Sequence, residues 1–290
     1  MSLPPEILVC LAFFVFLGFG TQAMAGFGGT VITLTLGALL VPIERLVPLI
    51  VAVGWVQTLI LVIRLRGAVE WRLLGAFVMP LMTLGAVGGL VLQTFLGGAA
   101  LKVFYGLFVI VVAIRELMIV VRASEVPQQA LPRPIAALGT LGAGVIHGIY
   151  ASGGPLLVYV IGRLGLEKAA FRATLITVWF PLNTALLIYF ASDGRITRSD
   201  LPSVAWLMIP IALALLAGEW AHQKVNERRF KTIANGILLL AGSVLLVSTL
   251  AALAQGGGQP APTAGGPAGV ESSTLTAPQS SSRASRGGGR

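Results

Sequence analysis

The chain has 290 residues, of which 56% are hydrophobic and only 11% are charged, and its mean hydropathy is +0.90. A soluble globular protein carries about 25% charged residues, and a membrane β-barrel would alternate apolar and polar positions. The composition and the continuous apolar runs exclude both and predict an all-α, polytopic integral membrane protein. The net charge of +9 arises from Lys and Arg in short loops and in the tail, which indicates membrane topology rather than a nucleic-acid partner.

Eight apolar stretches follow one another along the chain. They cover roughly residues 6–41, 46–63, 73–95, 99–121, 134–162, 173–191, 201–218 and 232–254. The first stretch resembles the apolar region of a signal peptide, but the start MSLPPE has no Lys or Arg, so we expect the stretch to be retained. Residues 255–290 are rich in Gly, Pro, Ser, Ala and Thr, and they are predicted to form a disordered tail.

The sequence predicts an internal duplication into two membrane repeats, residues 1–122 and 134–254, joined by a linker at 123–133. A Gly-Gly pair interrupts the first apolar stretch of each half, and the two pairs lie 125 residues apart: Gly28-Gly29 and Gly153-Gly154. Two further pairs fall at roughly equivalent positions of the halves: Arg45 with Arg172, and Gln57 with Asn183. Glycine-broken membrane segments at matching places in two halves indicate a transporter's binding site.

The two interrupted stretches are too long for one crossing each. The 36 residues of 6–41 would form a straight helix about 54 Å long. The 29 residues of 134–162 would form one of about 43 Å. Because the hydrocarbon core of a bilayer is only about 30 Å thick, each stretch is either a helical hairpin that enters and leaves on one side or a broken helix that crosses once. Three transmembrane helices follow in each half.

The distribution of basic residues favours the hairpin alternative. If each interrupted stretch crosses once, the loops on the two faces carry 8 and 9 Lys and Arg residues. If each is a hairpin, the faces carry 13 and 4. Because cytoplasmic loops carry the excess of Lys and Arg, hairpins give a clear orientation. The two repeats are then inverted relative to each other, the linker is cytoplasmic, and both termini are extracytoplasmic.

The helix that follows each Gly-Gly pair would present its N-terminus within the membrane. Free N–H groups and the helix dipole attract anions there, and glycine lets backbone approach a ligand without a Cβ. Two such N-termini meeting from opposite sides would hold an anion without Lys or Arg. The alternative is that these glycines only allow close helix packing.

Candidate binding residues cluster around the two breaks. We expect substrate contacts from Gln22, Gly28, Gly29, Thr30, His147, Ser152, Gly153 and Gly154, and supporting roles for Gln57, Asn183, Arg45 and Arg172. Polar side chains inside a membrane are functional candidates by default, although His147 could instead bond a neighbouring helix. The hydroxyls of Thr30 and Ser152 could bond local backbone, and Arg45 and Arg172 could only extend to the membrane interface.

Enzyme and metal signatures are missing from the sequence. It has no HExxH, GxSxG or GxxxxGK[ST] motif, and its two histidines and single cysteine are too few for a typical metal site. We therefore expect no enzymatic activity, no metal and no cofactor, and any active transport must be secondary. The alternatives are an assembly or structural membrane protein, an intramembrane enzyme that uses His147, or a cation transporter, which the shortage of carboxylates within the stretches disfavours.

The glycine segments also resemble a known family. GFGGTVITLTLGALL, RLRGAVEWRLL and GAVGGLVL in the first half, and GVIHGIYASGGPLLVYVI and FRATL in the second, resemble the sulfite exporter TauE/SafE-like family of membrane transporters. The resemblance covers residues 1–254 and implies transport of sulfur-containing anions such as sulfite or sulfonates across the inner membrane. One departure is Thr33-Leu34-Thr35, where family members often have a Pro.

Together, the residues and the resemblance predict a multi-pass secondary transporter of the cell inner (plasma) membrane. We expect it to export a small anion, sulfite or an organosulfonate, which is bound between the two Gly-Gly breaks and moved by alternating access. A carboxylate or another small solute is the alternative substrate. The protein is expected to lie in the lipid bilayer. The sequence does not decide whether transport is coupled to a proton or another ion, or whether the protein forms a homodimer.

Overall fold

The computed structural model of the chain describes residues 4–122, 131–224 and 227–254. Within these ranges all regular secondary structure is helical, which confirms the predicted all-α class. Most of the predicted linker (residues 123–130) and all of the predicted tail (255–290) lie outside the described residues.

The helices follow the eight apolar stretches. In the first half they are α1 Pro5–Ala25, α2 Gly29–Gly37, α3 Ile43–Leu65, α4 Trp71–Leu73, α5 Met79–Phe95 and α6 Gly98–Arg122. In the second half they are α7 Arg133–Tyr150, α8 Gly154–Ile161, α9 Lys168–Ser192, α10 Leu201–Lys224 and α11 Glu227–Ala254. A π-helical turn at Leu74–Val78 joins α4 to α5, and short 3₁₀ turns lie at Arg66–Ala68 and Arg198–Asp200.

Seven of the described helices are long and apolar enough to cross a membrane by length and composition. They include α1, α3, α9 and α10, the continuous helical segment Trp71–Phe95, and the apolar parts of α6 and α11. Large apolar side chains on α5, α10 and α11 face outwards, for example Leu84, Leu216 and Leu240, each about two-thirds exposed. An apolar exterior of this kind suits lipid, and together with the seven helices it supports a multi-pass membrane protein.

In the first half, α2 turns back along α1 instead of continuing away from it. The Thr33 hydroxyl donates a hydrogen bond to the Phe14 carbonyl at 3.2 Å, and a Cβ placed at Gly37 would lie 3.1 Å from Leu11. The nine residues of α2 rise only about 13.5 Å, too little to cross a bilayer. Helices α1 and α2 therefore form a hairpin, which we call the first hairpin, with its tip at residues 26–28.

The second half repeats this arrangement with α7 and α8. A Cβ at Gly142 would lie 3.3 Å from Leu156, and one at Gly139 would lie 2.7 Å from Val160. Helix α8 therefore runs antiparallel to α7 over its eight residues. We call this pair the second hairpin, with its tip at residues 151–153. Both interrupted stretches have the geometry of the hairpin alternative.

The two halves pack against each other reciprocally. Helix α1 of the first hairpin packs on α10 of the second half, and α7 of the second hairpin packs on α5 of the first half. The remaining long helices pair with their counterparts, α3 with α9 and α6 with α11. Each hairpin is thus held mainly by helices of the other half, and this brings the two tips together.

Glycines make the contact between α5 and α7 close. A Cβ at Gly85 would lie 2.9 Å from Gly144 Cα, and one at Gly89 would lie 3.1 Å from Gly148 Cα. Small residues four apart on both helices let membrane helices approach backbone to backbone. These four glycines therefore serve the close packing of α5 against α7.

Candidate functional site

The first hairpin turns on two glycines with left-handed backbone. Gly26 ends α1 with φ 90°, and its N–H donates to the Gln22 carbonyl at 2.8 Å. Gly28 precedes α2 with φ 101°. L-residues rarely adopt this backbone conformation, so both positions require glycine. Gly29 allows close packing instead, because a Cβ there would collide with the Gln22 side chain and Phe19.

The second hairpin has a left-handed residue at the position equivalent to Gly26, but that residue is not a glycine. Ala151 ends α7 with φ 53°, and its N–H donates to the His147 carbonyl at 2.6 Å. Gly153 has an ordinary helical φ of −67°, but a Cβ there would collide with the Ala143 carbonyl. The glycine pair of this half therefore allows close approach, and Ala151 supplies the sharp reversal.

The two tips meet at a small cavity, which we call the central cavity. A Cβ at Gly154 would lie 3.3 Å from Phe27 Cβ, so the tips are in near contact. The centre of a water-sized sphere can move through about 20 Å³ of the cavity, whereas one ordered water needs about 10–15 Å³. The lining residues are Gln22, Phe27, Gly28, Thr30, Val31, His147, Ala151, Ser152, Gly154, Trp179 and Asn183.

The central cavity is polar but carries no fixed charge. Its lining contains no Asp, Glu, Lys or Arg. Helices α2 and α8 begin at its edge, and neither has a side-chain cap at its N-terminus. The first N–H groups of a helix have no partner within the helix and carry its positive dipole end. Pro155, which has no N–H, occupies the first turn of α8.

Trp179 of α9 connects the two tips. Its indole N–H donates to the Gly26 carbonyl of the first tip at 2.9 Å. Its ring stacks on His147 of the second hairpin, with 5.5 Å between centroids and 17° between planes. Trp179 and Asn183 lie near the middle of the 25-residue α9. The cavity is therefore flanked by the central part of a long helix.

His147 is buried with no hydrogen bond of ordinary geometry. Only 1% of its surface is exposed, and among the described residues neither ring nitrogen has a partner. Asn183 lies beside the imidazole, yet its Oδ1 is also buried without a partner. An unpaired buried polar group costs about 1–3 kcal/mol. These two side chains therefore have unused hydrogen-bonding capacity at the cavity wall.

Tyr105 of α6 joins the two hairpins on the other side of the cavity. Its hydroxyl donates to the Val31 carbonyl of α2 at 3.2 Å and lies 3.4 Å from the Ser152 hydroxyl of the second tip. Ser152 also donates to the Tyr150 carbonyl at 3.2 Å. The ring of Tyr105 is fully buried. One side chain thus fixes the distance between α2 and the second tip.

Most of the residues expected to bind substrate converge on the cavity. Those in its lining are Gln22, Gly28, Thr30, His147, Ser152 and Gly154, with Asn183 from the supporting group. Gly29 and Gly153 lie inside their hairpins. Gln57 donates from its amide to the Phe19 carbonyl at 2.8 Å and so braces the first hairpin.

The two arginines lie outside the lining and differ from each other. Arg45 is exposed. Arg172 is 8% exposed, packs behind Gly26, and forms an ion pair with Glu219 at 3.8 Å. Glu219 also pairs with Arg64 at 3.1 Å. Arg172 is therefore paired within the protein at the back of the first tip.

Sequence reasoning missed four lining residues: Phe27, Val31, Ala151 and Trp179. Phe27 and Ala151 adjoin the motifs and could have been included by their position in the turns. Trp179 could not, because an indole in an apolar helix is usually read as core, and its contact with Gly26 spans 153 residues of sequence.

Comparisons with known proteins cover nearly the whole membrane region. The family model described as Sulfite exporter TauE/SafE matches residues 10–245. A protein of Cupriavidus necator named "Probable sulfite/organosulfonate exporter TauE" is 22% identical over 250 residues, which are 85% of this chain and 97% of that protein. No solved structure matches the chain.

Proposed function

The chain belongs to the sulfite exporter TauE/SafE family of membrane transporters, and on that premise we propose that it exports a small sulfur oxyanion, sulfite or an organosulfonate, through the central cavity. Membership of the family confirms the resemblance drawn from the two glycine motifs and the expectation of a transporter rather than an enzyme. The printed name of the Cupriavidus relative supports the substrate class.

The main support for this proposal is that α2 and α8 both begin at one uncharged cavity and that neither N-terminus has a side-chain cap. Helix N-termini bind anions through free N–H groups and the helix dipole. A metal cation would require carboxylate or carbonyl oxygens converging on it, and the lining has no carboxylate. The hydroxyls of Thr30 and Ser152 and the side chains of Gln22, Asn183 and His147 would complete the oxyanion's coordination.

The small volume of the cavity favours a compact solute. The centre of a water-sized sphere has about 20 Å³ of space there. Sulfite is larger than the one or two waters that this space holds, so sulfite requires a small separation of the two tips and a larger organosulfonate requires a greater one. The near contact of Gly154 with Phe27 is where we expect the separation to begin.

We propose that the two repeats are inverted in the inner membrane and that transport follows alternating access. The reciprocal packing of α1 on α10 and of α7 on α5 supports this, because each hairpin can move with the helices of the opposite half. In the proposed cycle, the hairpins rock against the α3–α9 pair and open the cavity first to the cytoplasm and then to the outside. Such motion around a fixed central site is typical of repeat-built transporters.

The proposal is tested by flux through the purified full chain in liposomes. We expect efflux of sulfite and of methanesulfonate from preloaded vesicles, and we expect inhibition of sulfite efflux by excess methanesulfonate. Acetate flux without sulfite or methanesulfonate flux would assign the carboxylate alternative. The absence of flux for every anion from a folded protein would contradict transport and favour a structural or assembly role.

A further inference from the structure

We propose that His147 carries a coupling proton, so that each anion crosses the membrane together with one proton bound to the imidazole of His147. The proposal rests on the proposed anion site and names a second cargo for it. It would make the transporter an electroneutral anion–proton symporter, which exports the anion only where the outward anion gradient exceeds any opposing pH gradient.

His147 is the one residue of the cavity lining whose type of side chain has an ordinary pKa near neutral pH. The lining has no Asp, Glu, Lys, Arg, Cys or Tyr, and histidine is the side chain whose charge changes between about pH 5 and 8. The chain has only two histidines. The other, His222, has its Nδ1 2.8 Å from the Met24 carbonyl and does not line the cavity.

The hydrogen-bonding state of His147 also indicates missing ligands. A neutral imidazole has one donor and one acceptor nitrogen, and the protonated form has two donors. Neither nitrogen has a partner in the described part of the chain. A proton on the free acceptor and an oxyanion beside the resulting N–H groups would satisfy both nitrogens at once.

A positively charged group would further stabilise an anion in this cavity. Moving an unpaired anion into a buried, water-poor cavity carries a large desolvation cost, and the lining offers no fixed cation. The uncapped N-termini of α2 and α8 contribute only partial charges of about +0.5 each. An imidazolium adds a full positive charge beside the anion, and release of anion and proton together returns the cavity to its resting charge.

The other charged and titratable groups near His147 have partners of their own and are not expected to carry the coupling proton. Tyr105 of α6 donates to Val31, and Tyr150 of α7 donates to the Leu101 carbonyl at 2.9 Å. On α9, Arg172 lies behind Gly26 and is paired with Glu219 of α10. Tyr159 of α8 lies under Arg115 and Arg163. Helix α5, which packs on α7, contains no ionisable residue.

The first hairpin supplies a neutral version of the same position. Gln22 lies 125 residues before His147, lines the same cavity, and its carbonyl accepts the equivalent hydrogen bond from the residue that ends the helix. Glutamine can bond an anion but cannot gain a proton near neutral pH. His147→Gln therefore gives both hairpins the same uncharged side chain and isolates protonation from hydrogen bonding.

The test measures proton and anion movement in the same liposomes. Methanesulfonate is the probe because it stays ionised across the neutral range, so any proton that moves must be carried by the protein. Anion efflux is measured isotopically and internal pH with an entrapped dye. The membrane potential is clamped with valinomycin and potassium. We expect one proton per anion for the wild-type protein and for His222→Gln, and a ratio close to zero for His147→Gln, whatever rate remains.

The outcomes separate this inference from the proposed function. Wild-type methanesulfonate flux without accompanying protons would overturn the role of His147 and leave the anion transporter intact. Failure of the wild type to transport any anion would remove both. An unchanged proton ratio in His147→Gln would overturn the assignment to this residue. If His147→Gln does not fold, the wild type still decides, because coupled flux is driven by an imposed pH gradient and is insensitive to membrane potential, whereas uncoupled anion flux follows the potential and ignores the pH gradient.

Discussion

Gln22 and His147 occupy the same place in the two hairpins. Each accepts, on its backbone carbonyl, a hydrogen bond from a residue four positions later whose backbone is left-handed, Gly26 or Ala151. The side chain of each lines the central cavity. The two hairpins therefore share this backbone hydrogen bond, and they differ at this position by an amide and an imidazole.

Gly154 is the position where a side chain most directly closes the cavity. We expect Gly154→Leu to abolish anion flux while the protein folds, because its Cβ would be only 3.3 Å from Phe27 and the rest of the side chain would occupy the binding space. Flux should fall at least about 100-fold, which corresponds to about 2.7 kcal/mol. The measurement is methanesulfonate efflux, with size-exclusion chromatography as the folding check.

Two other glycines serve as matched controls for Gly154. Gly88→Leu on α5 should keep wild-type flux, because that position is exposed and has no atom within 4 Å of its Cβ. Gly148→Leu should fail to fold, since its Cβ would collide with the Ala86 carbonyl at the α5–α7 contact. Normal flux in a folded Gly154→Leu protein would contradict the assignment of the cavity.

Trp179 has a hydrogen bond that can be removed without losing its stacking on His147. We expect Trp179→Phe to lower flux by about fivefold, because a lost hydrogen bond to Gly26 costs about 1 kcal/mol and loosens the first tip at the site. Trp55→Phe is the matched control. It removes an equivalent indole bond, to Thr184 at 2.8 Å, away from the cavity lining. Equal losses of flux in both variants would show that the effect is on general stability.

Ala151 is the one described non-glycine residue with a positive φ, at 53°. Left-handed backbone costs an L-residue about 1–2 kcal/mol, and Ala151→Gly removes that cost. Because glycine also raises the entropy of the unfolded chain, the free energy of unfolding should stay unchanged or rise by about 1 kcal/mol. Ala151→Val should lower it, because β-branched residues are least tolerant of this conformation. Thermal unfolding in detergent measures both. A stabilising valine would contradict the turn geometry.

The proposed inversion of the two repeats predicts opposite locations for two equivalent loops. A reporter fused after Ala68 should be cytoplasmic, and one fused after Ile196 should be extracytoplasmic, as the excess of Lys and Arg on one face requires. Paired alkaline phosphatase and fluorescent protein fusions measure this, since each is active on only one side. If both fusion sites report the same side of the membrane, the proposal that the repeats are inverted is wrong.

Much of the fold and part of the site could be predicted because their signals are local. The lengths of the apolar runs predicted eight membrane-embedded stretches. Two of these stretches are too long for one crossing and have glycines at the centre, and the glycines marked both hairpin tips. The contributions of Trp179 and Tyr105 could not be predicted in this way. Their hydrogen bonds to Gly26 and Val31 depend on how apolar helices rotate against each other, and helices that are apolar all round have no sequence stripe to reveal that rotation.

The left-handed residues were only partly predictable for a related reason. The glycine-rich run around Gly26 and Gly28 signals a turn directly, because glycine adopts positive φ without strain. In the second half the same backbone falls on Ala151, which has no such signature. Only the 125-residue offset from Gly26 identifies it, and the equivalence of these two positions became evident from the structure.

The most direct test of the anion site is to locate a heavy-atom anion bound to the protein. Crystals of the full chain soaked in 2-bromoethanesulfonate should give an anomalous bromine peak at the central cavity, with the sulfonate oxygens within hydrogen-bond distance of the N-termini of α2 and α8 and of His147. The peak should be lost in Gly154→Leu. A bromine peak elsewhere in the membrane region, with the tips remaining in contact and the cavity empty, would contradict the account.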